Sequence, residues 1–308
     1  MDAFDTVQVR LTASNEEFKL PYMYEAQRVY ESSELLEPLE RIRRQFQTIK
    51  ESLRLRGKRI AITAGSRGIA EFNLILRTIV EELKASGASV VIVPAMGSHG
   101  GATADGQREV LESYGITAES VGAEVISDMA VVELGRTKSG MTVYCDKNAA
   151  ACDGIVVINK IKPHADFKGD YESGLVKMMA VGLGKHVGAR EVHQKGFGQM
   201  ARLLPEYGAV FLDRAPVLFG VAITENEHDR LYDVEFIPPD RIMEREKQLL
   251  KRAKSLVPTI GIDDIDLLVI DEIGKNISGE GMDPNVTGRP GSGLKEGFVT
   301  PRIDKIAV

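Results

Sequence analysis

A chain of 308 residues with 45 acidic against 39 basic side chains has a formal charge of -6, which argues against nucleic acid or an anionic membrane surface as its main partner. With 43% hydrophobic and 27% charged residues and no low-complexity tract, it has the composition of a folded globular protein, long enough for two domains or one large α/β domain with an appendage. The opening MDAFDTVQVR lacks a basic stretch followed by an apolar one, and no apolar run is long enough to span a bilayer, so the cytoplasm is the expected compartment.

In chain order, RIAITA at 59–64 reads as a β-branched strand. It leads through Gly-Ser-Arg-Gly into the amphipathic IAEFNLILRTIVEELKASG, which closes on a C-cap glycine. The same unit recurs as ASVVIVPA at 88–95, the loop MGSHGGATADG and a helix through QREVLESYG. A hairpin follows, AVVELG and MTVYCD around Lys138-Ser139-Gly140, then the strand GIVVINK at 154–160 and a long polar loop over 161–174. Further strands are expected at 217–224 and 266–272. Residues 239–256 read as a charged amphipathic linker helix ending before Pro258. The expected fold is α/β: a mostly parallel sheet flanked by helices in residues 1–256, joined by that helix to a smaller C-terminal α/β domain of which 257–308 would be the start. Cys145 and Cys152 match neither a zinc nor a redox spacing and are expected to be packing thiols.

Open parallel sheets bind ligands beyond the carboxyl ends of their strands, and the loops at 65–68, 96–103, 161–174 and 274–283 all lie there. Four of the five histidines, His99, His164, His186 and His193, fall in or just after these Gly-rich stretches, while His228 reads as a surface residue. Two imidazoles facing across a substrate suit proton transfer near neutral pH, although each alone also fits a plain hydrogen-bonding role. Between Ile158 and Lys195 seven Lys/Arg stand against four acids, opposite in sign to the chain, which suits a phosphate or carboxylate or else a solvated basic loop. Lys177 sits among apolar neighbours, where desolvation favours a neutral, nucleophilic amine; the competing reading is a lysine that snorkels to the surface. Arg67 is placed to fork an anion or to cap strand carbonyls. No GxGxxG and no GxxxxGK[ST] occurs, so neither a dinucleotide fold nor a P-loop is supported.

The motifs AGSRG at 64–68, GSHGGAT at 97–103 and KIKPHADFKGDYESGLVKMMAVGLGKH at 160–186 resemble those of the nickel-dependent lactate racemases, over essentially the whole chain. The resemblance implies a racemase or epimerase of a 2-hydroxy acid that uses a nickel pincer nucleotide, a pyridinium mononucleotide whose two thio-carboxyl arms and ring carbon grip one nickel ion. It assigns Lys177 as the covalent tether, with Ser66, Arg67 and Gly174 also at the cofactor, and His193 as a nickel ligand, with His186 as the neighbouring alternative. It assigns His99 and His164 as opposed acid/bases: one takes the hydroxyl proton as hydride leaves Cα, giving a transient 2-keto acid, and return of hydride to the other face inverts the centre. The partners it implies are a small 2-hydroxy acid and the cofactor-making proteins, with a homodimer as one possible assembly and with neither nucleic acid nor membrane. Two departures stand out. Ala64-Gly65-Ser66 replaces an acidic residue of the family pattern, and the C-terminal substrate lysine has no clear counterpart, leaving Lys275, Asn285 and Arg289 as the polar groups of that region. Two other readings remain open: nonredox acid/base chemistry on a phosphorylated or carboxylated metabolite, and a noncatalytic protein that binds a nucleotide or sugar acid.

Overall fold

The computed structural model describes residues 22–30, 33–275 and 277–308; the N-terminal stretch read above for a leader lies outside them, as does Asn276 within the last Gly-rich loop. In chain order the elements are α1 (Pro38–Leu53), β1 (Arg59–Ala64), α2 (Phe72–Ala85), β2 (Ser89–Pro94), α3 (Ala104–Ser113), α4 (Ala118–Val121) and β3 (Glu124–Val125). Then follow β4 (Val131–Arg136), β5 (Thr142–Asp146), α5 (Lys147–Ala150), β6 (Gly154–Lys160), α6 (Leu175–Lys177) and a π-helical turn, Met178–Gly182. The remainder is α7 (Lys185–His193), α8 (Phe197–Arg214), β7 (Val217–Glu225), β8 (Leu231–Ile237), α9 (Ile242–Ser255), β9 (Asp264–Val269), α10 (Pro284–Thr287) and β10 (Arg302–Ala307).

Six strands form the central sheet in the order β3-β2-β1-β6-β7-β8, parallel except for β8, which runs antiparallel to β7 at the edge. Both faces are covered, so β1 and β2 read as near-continuous apolar runs rather than alternating ones. The pleat still sorts them: Ile60 and Ile62 enter the core under α1 and α2, while Ala61 enters the opposite core with α8 and α9. The stripe Phe72, Ile75, Leu76, Ile79, Val80 and Leu83 packs α2 onto the sheet at helical spacing. That helix begins three residues later than the apolar pattern, because Ile69–Glu71 close a turn in which Glu71 takes φ +54°. Likewise Pro239–Arg241 form a 3-10 turn, so the charged linker helix starts at Ile242 instead of 239.

Two further sheets stand apart. The expected hairpin is present as antiparallel β4–β5, and β9 pairs with β10 in a two-stranded parallel sheet. The strand expected at 266–272 spans Asp264–Val269. Both cysteines are free and buried, as packing thiols should be. Among the described residues no helix is long and apolar enough to cross a membrane.

The functional consequence lies in the strand order. From β1 the chain winds outward through β2 and β3, then returns to place β6 on the other side of β1. The switch point between β1 and β6 opens a crevice at their carboxyl ends. The segments leaving them, Gly65-Ser66-Arg67 and Ile161–Gly174, therefore flank that crevice from the start.

Candidate active site

Three loops at the carboxyl edge bring the side chains together. Gly65-Ser66-Arg67 leaves β1, Met96–Thr103 leaves β2, and Ile161–Gly174 leaves β6. Beneath them runs the turn carrying Lys177 and its π-helical continuation. This turn approaches so closely that a Cβ on Gly97, itself at φ +61°, would stand 3.1 Å from Val181, and one on Gly65 would stand 3.1 Å from Met178. Such π turns recur at functional sites.

His99 is exposed at the crevice, and its Nδ1 lies 2.5 Å from Ser66 Oγ, which ties the β2 loop to the β1 loop. A hydroxyl can donate or accept, so this contact leaves both tautomers of His99 open. His164 differs. The backbone N–H of Asp166 donates to its Nδ1 over 3.0 Å. An amide N–H only donates, so the proton of neutral His164 sits on Nε2, which becomes a fixed hydrogen-bond donor. The His164 ring lies 4.4 Å from Phe167 and 6.1 Å from Phe197, and His193 stands 6.1 Å from the same Phe197.

The loop around His164 is organised by Glu172, which is 1% exposed. Its carboxylate accepts the N–H of His164 (2.7 Å) and of Gly169 (3.1 Å) and pairs with Lys168 (3.4 Å) and with Lys254 of α9 (2.6 Å). Lys168 in turn donates to the His164 carbonyl and to Asn285. Segment 283–298 closes over this loop, with Ser292 bonding both the Asp166 carboxylate and its carbonyl and with the Phe298 ring against Lys168.

Lys177 is half-buried, and among the described residues it has no hydrogen bond and no ion pair. Burial first, then the charges of Lys162 and Arg67, push its pKa down to about 7 against the opposing pull of Asp166 and Glu172. Behind it, the buried Glu246 of α9 accepts the N–H of Val176 at 2.9 Å, and its own carboxyl is pushed up to about 7 by burial. Gly174 is buried in this turn, where a Cβ would collide with the Glu246 carboxylate and stand 2.9 Å from Ile161. Its place is thus set by room for Glu246.

The histidines register the same surplus of positive charge. His164 is pushed down to about 2 by burial, then by Lys177, Lys168, Lys162 and His193. His99 is lowered by burial, then Arg67, Lys177, His193 and Lys275; His193 is lowered by burial and Lys177, although it retains an exposed face. Arg67, His99, His164, Lys177 and His193 thus share one electrostatic environment, in which the charge of His193 acts on both His99 and His164. The side chains of Arg67, Lys162 and Lys275 have no carboxylate or hydrogen-bond partner among the described residues.

The C-terminal candidates separate. Asn285 is bound to Lys168 and to the His164 carbonyl, and Arg289 is bound to the Ile303 carbonyl. The charge of Lys275 adds the smallest of the contributions that lower His99, and a Cβ on Gly279 of the same loop would stand 3.8 Å from the Arg67 guanidinium. A small cavity lined by Arg67, Ile69, Glu71, Phe72, Asn73 and Tyr114 adjoins the cluster on the α2 side. Among the described residues no three His, Cys, Asp or Glu side chains converge as a metal cage of their own. The sequence points to the histidines and Lys177 but not to Gln107, Glu172 and Glu246, whose burial as polar side chains emerges only in the folded structure.

Residues 35–202 match the family model of the lactate racemase N-terminal domain. A solved structure, the lactate racemase apoprotein from Thermoanaerobacterium thermosaccharolyticum, superposes with a TM-score of 0.51 at 14% identity, covering 77% of this chain and 59% of that one. The present chain therefore spans less than two thirds of that relative, and the likeness speaks for the fold. No curated protein matches the sequence.

Proposed function

Since the chain belongs to the lactate racemase family, we propose that it is a racemase or epimerase of a small 2-hydroxy acid, working with a nickel pincer nucleotide tethered to Lys177. The observation that carries this reading is the unpartnered Lys177 amine, poised near neutral pH beside His99, His164 and His193. An amine without hydrogen bonds in a half-buried setting is unfavourable for stability and favourable for covalent attachment. The residues suit the cofactor in three respects. Lys177 offers a neutral nucleophile. His193 offers an imidazole held neutral, as a nickel ligand must be. Arg67, Lys162 and Lys275 offer unpaired cations for the nucleotide phosphate and the substrate carboxylate. The division at 257 belongs to the same reading, with β9–β10 opening a second domain that lends Lys275 to the cleft.

When bound, the cofactor supplies a reversible acceptor for the hydrogen on Cα. The protein's share is binding, orientation and proton control. His99, in the tautomer whose Nδ1–H donates to Ser66 Oγ, turns a bare Nε2 to the substrate hydroxyl as the proton acceptor. His164, carrying its proton on Nε2, meets the substrate oxygen from the other side as a donor. The two therefore form an acid/base pair with unequal starting states. Burial first, and the nearby cations after it, depress both imidazoles, and an anion in the cleft offsets the cationic part of that depression. Phe167, buried against the His164 ring at 4.4 Å, keeps water from that side.

Intact-protein mass spectrometry after co-expression with cofactor-making enzymes tests the tether. A nucleotide-sized increment on the wild type that is absent from Lys177→Ala is expected; no increment on the wild type refutes it. Racemisation is then followed on a panel of 2-hydroxy acids by polarimetry or chiral chromatography.

A further inference from the structure

Lys185 is a charged side chain with no part in the chemistry above, yet it is wholly buried and adopts φ +53°, a left-handed conformation unusual for a residue with a Cβ. Its ammonium donates to the Pro94 carbonyl at the end of β2 (2.5 Å) and to Gln107 Oε1 on α3 (3.1 Å). It also stands 3.1 Å from Asp146 Oδ2, an ion pair by distance although not an aligned hydrogen bond. Asp146 is buried as well, and its other oxygen accepts the Ala149 N–H at the start of α5. Gln107, also 0% exposed, continues the chain: its Nε2 donates to the carbonyls of Gly97 (2.8 Å) and His99 (3.3 Å).

We propose that Asp146, Lys185 and Gln107 form a buried relay that positions His99. The charged pair fixes the Gln107 amide so that its oxygen faces Lys185 and its nitrogen faces the GSHGG loop. Both N–H groups then grip the loop on either side of Ser98. Lys185 is the first residue of α7, and the last residue of that helix is His193. The relay therefore locks the loop carrying His99 to the helix carrying His193, and it holds fixed the separation of the two imidazoles. A buried ion pair on its own is weak evidence for stability, and a hydrophobic replacement often serves as well. What singles this one out is that its outlet is two carbonyls of a functional loop. That loop is packed closely on α3, where a Cβ on Gly100 would stand 2.5 Å from Gly106, and Gln107 is the buried side chain of that helix whose amide holds it. The catalytic meaning rests on the reading of His99 as proton carrier; the positioning does not.

The test uses the apoprotein and Gln107→Glu, which keeps the contact with Lys185 but loses both donors, together with Gln107→Leu. The imidazole 15N shifts of His99 report its bond to Ser66, while those of His164 serve as the internal control. We expect loss of the single, Ser66-bonded His99 signature in both variants with the His164 signature intact. The doubly neutral Lys185→Met/Asp146→Asn variant is expected to show the same loss; if it does not fold, the Gln107 pair decides alone. An unchanged His99 signature in a folded variant of either kind overturns the relay. With an active substrate, Gln107→Leu should lower kcat by about 10²-fold, as a misplaced catalytic group does, with KM little changed. Because the spectroscopic arm needs neither cofactor nor turnover, a wild type that racemises nothing would sink the proposed function and leave this result standing.

Discussion

Lys177→Met should make the protein more stable at neutral pH, and the gain should fade as the pH rises. The ordinary lysine value of 10.5 falls to about 7 in the fold. Between those values the unfolded chain binds the proton and the native chain does not, so stability rises with pH through that window. For a single group the burden on the wild type is about 4 kcal/mol at pH 7 and about 1 kcal/mol at pH 10, from 1.36 kcal/mol per pH unit. Lys177 keeps some accessible surface, and counterions enter an open cleft, so about 2 kcal/mol is the gain to expect at pH 7. Methionine matches the length of the stem and lacks the charge that Lys162 and Arg67 oppose.

Urea unfolding of wild type and variant, both as apoproteins, at pH 7 and pH 10 gives the comparison, since other titrating groups cancel between the two. A variant no more stable than wild type at pH 7 would refute the placement of an uncompensated amine in this turn. So would a gain that stays constant up to pH 10, because it would then come from packing and not from charge.

Glu246 should show the opposite trend. Its carboxyl rises from 4.5 to about 7, so the wild type loses stability as the pH climbs through that window, and Glu246→Gln should be about 1 to 3 kcal/mol more stable at pH 8 but equal at pH 4 by the same urea assay. Gly174→Ala forces a methyl against the Glu246 carboxylate and Ile161 and should cost about 1 to 3 kcal/mol, read as a lower unfolding midpoint. His164→Gln keeps an N–H donor where His164→Ala keeps none, so in a racemisation assay glutamine should retain at least about 10-fold more kcat; equal losses would mean that His164 must accept a proton.

The βα units were legible because a strand buried on both faces leaves an unbroken apolar run, and a helix that covers it leaves a 3.6-residue stripe. RIAITA and GIVVINK carry the first signal and the Phe72–Leu83 stripe the second. The edge strand β8 was missed for the converse reason: LYDVEFI mixes exposed acids with apolar residues, and its pairing to β7 is decided by tertiary contacts. The histidines were conspicuous by type, yet nothing in their spacing distinguishes His99, whose partner is an amphoteric hydroxyl, from His164, whose partner is an amide that only donates. That difference arises from one turn of backbone at Asp166. The supporting groups were harder still. Gln107 lies in a pattern that reads as a polar helix face, and Lys185 lies in a basic stretch that reads as a solvated loop, yet both are fully buried. Burial of a polar side chain depends on what the rest of the chain folds over it. In this protein the residues that reach the crevice are announced by their chemistry, whereas those that aim them are betrayed only by being buried and polar, and mutations at the latter test the site without touching a reacting atom.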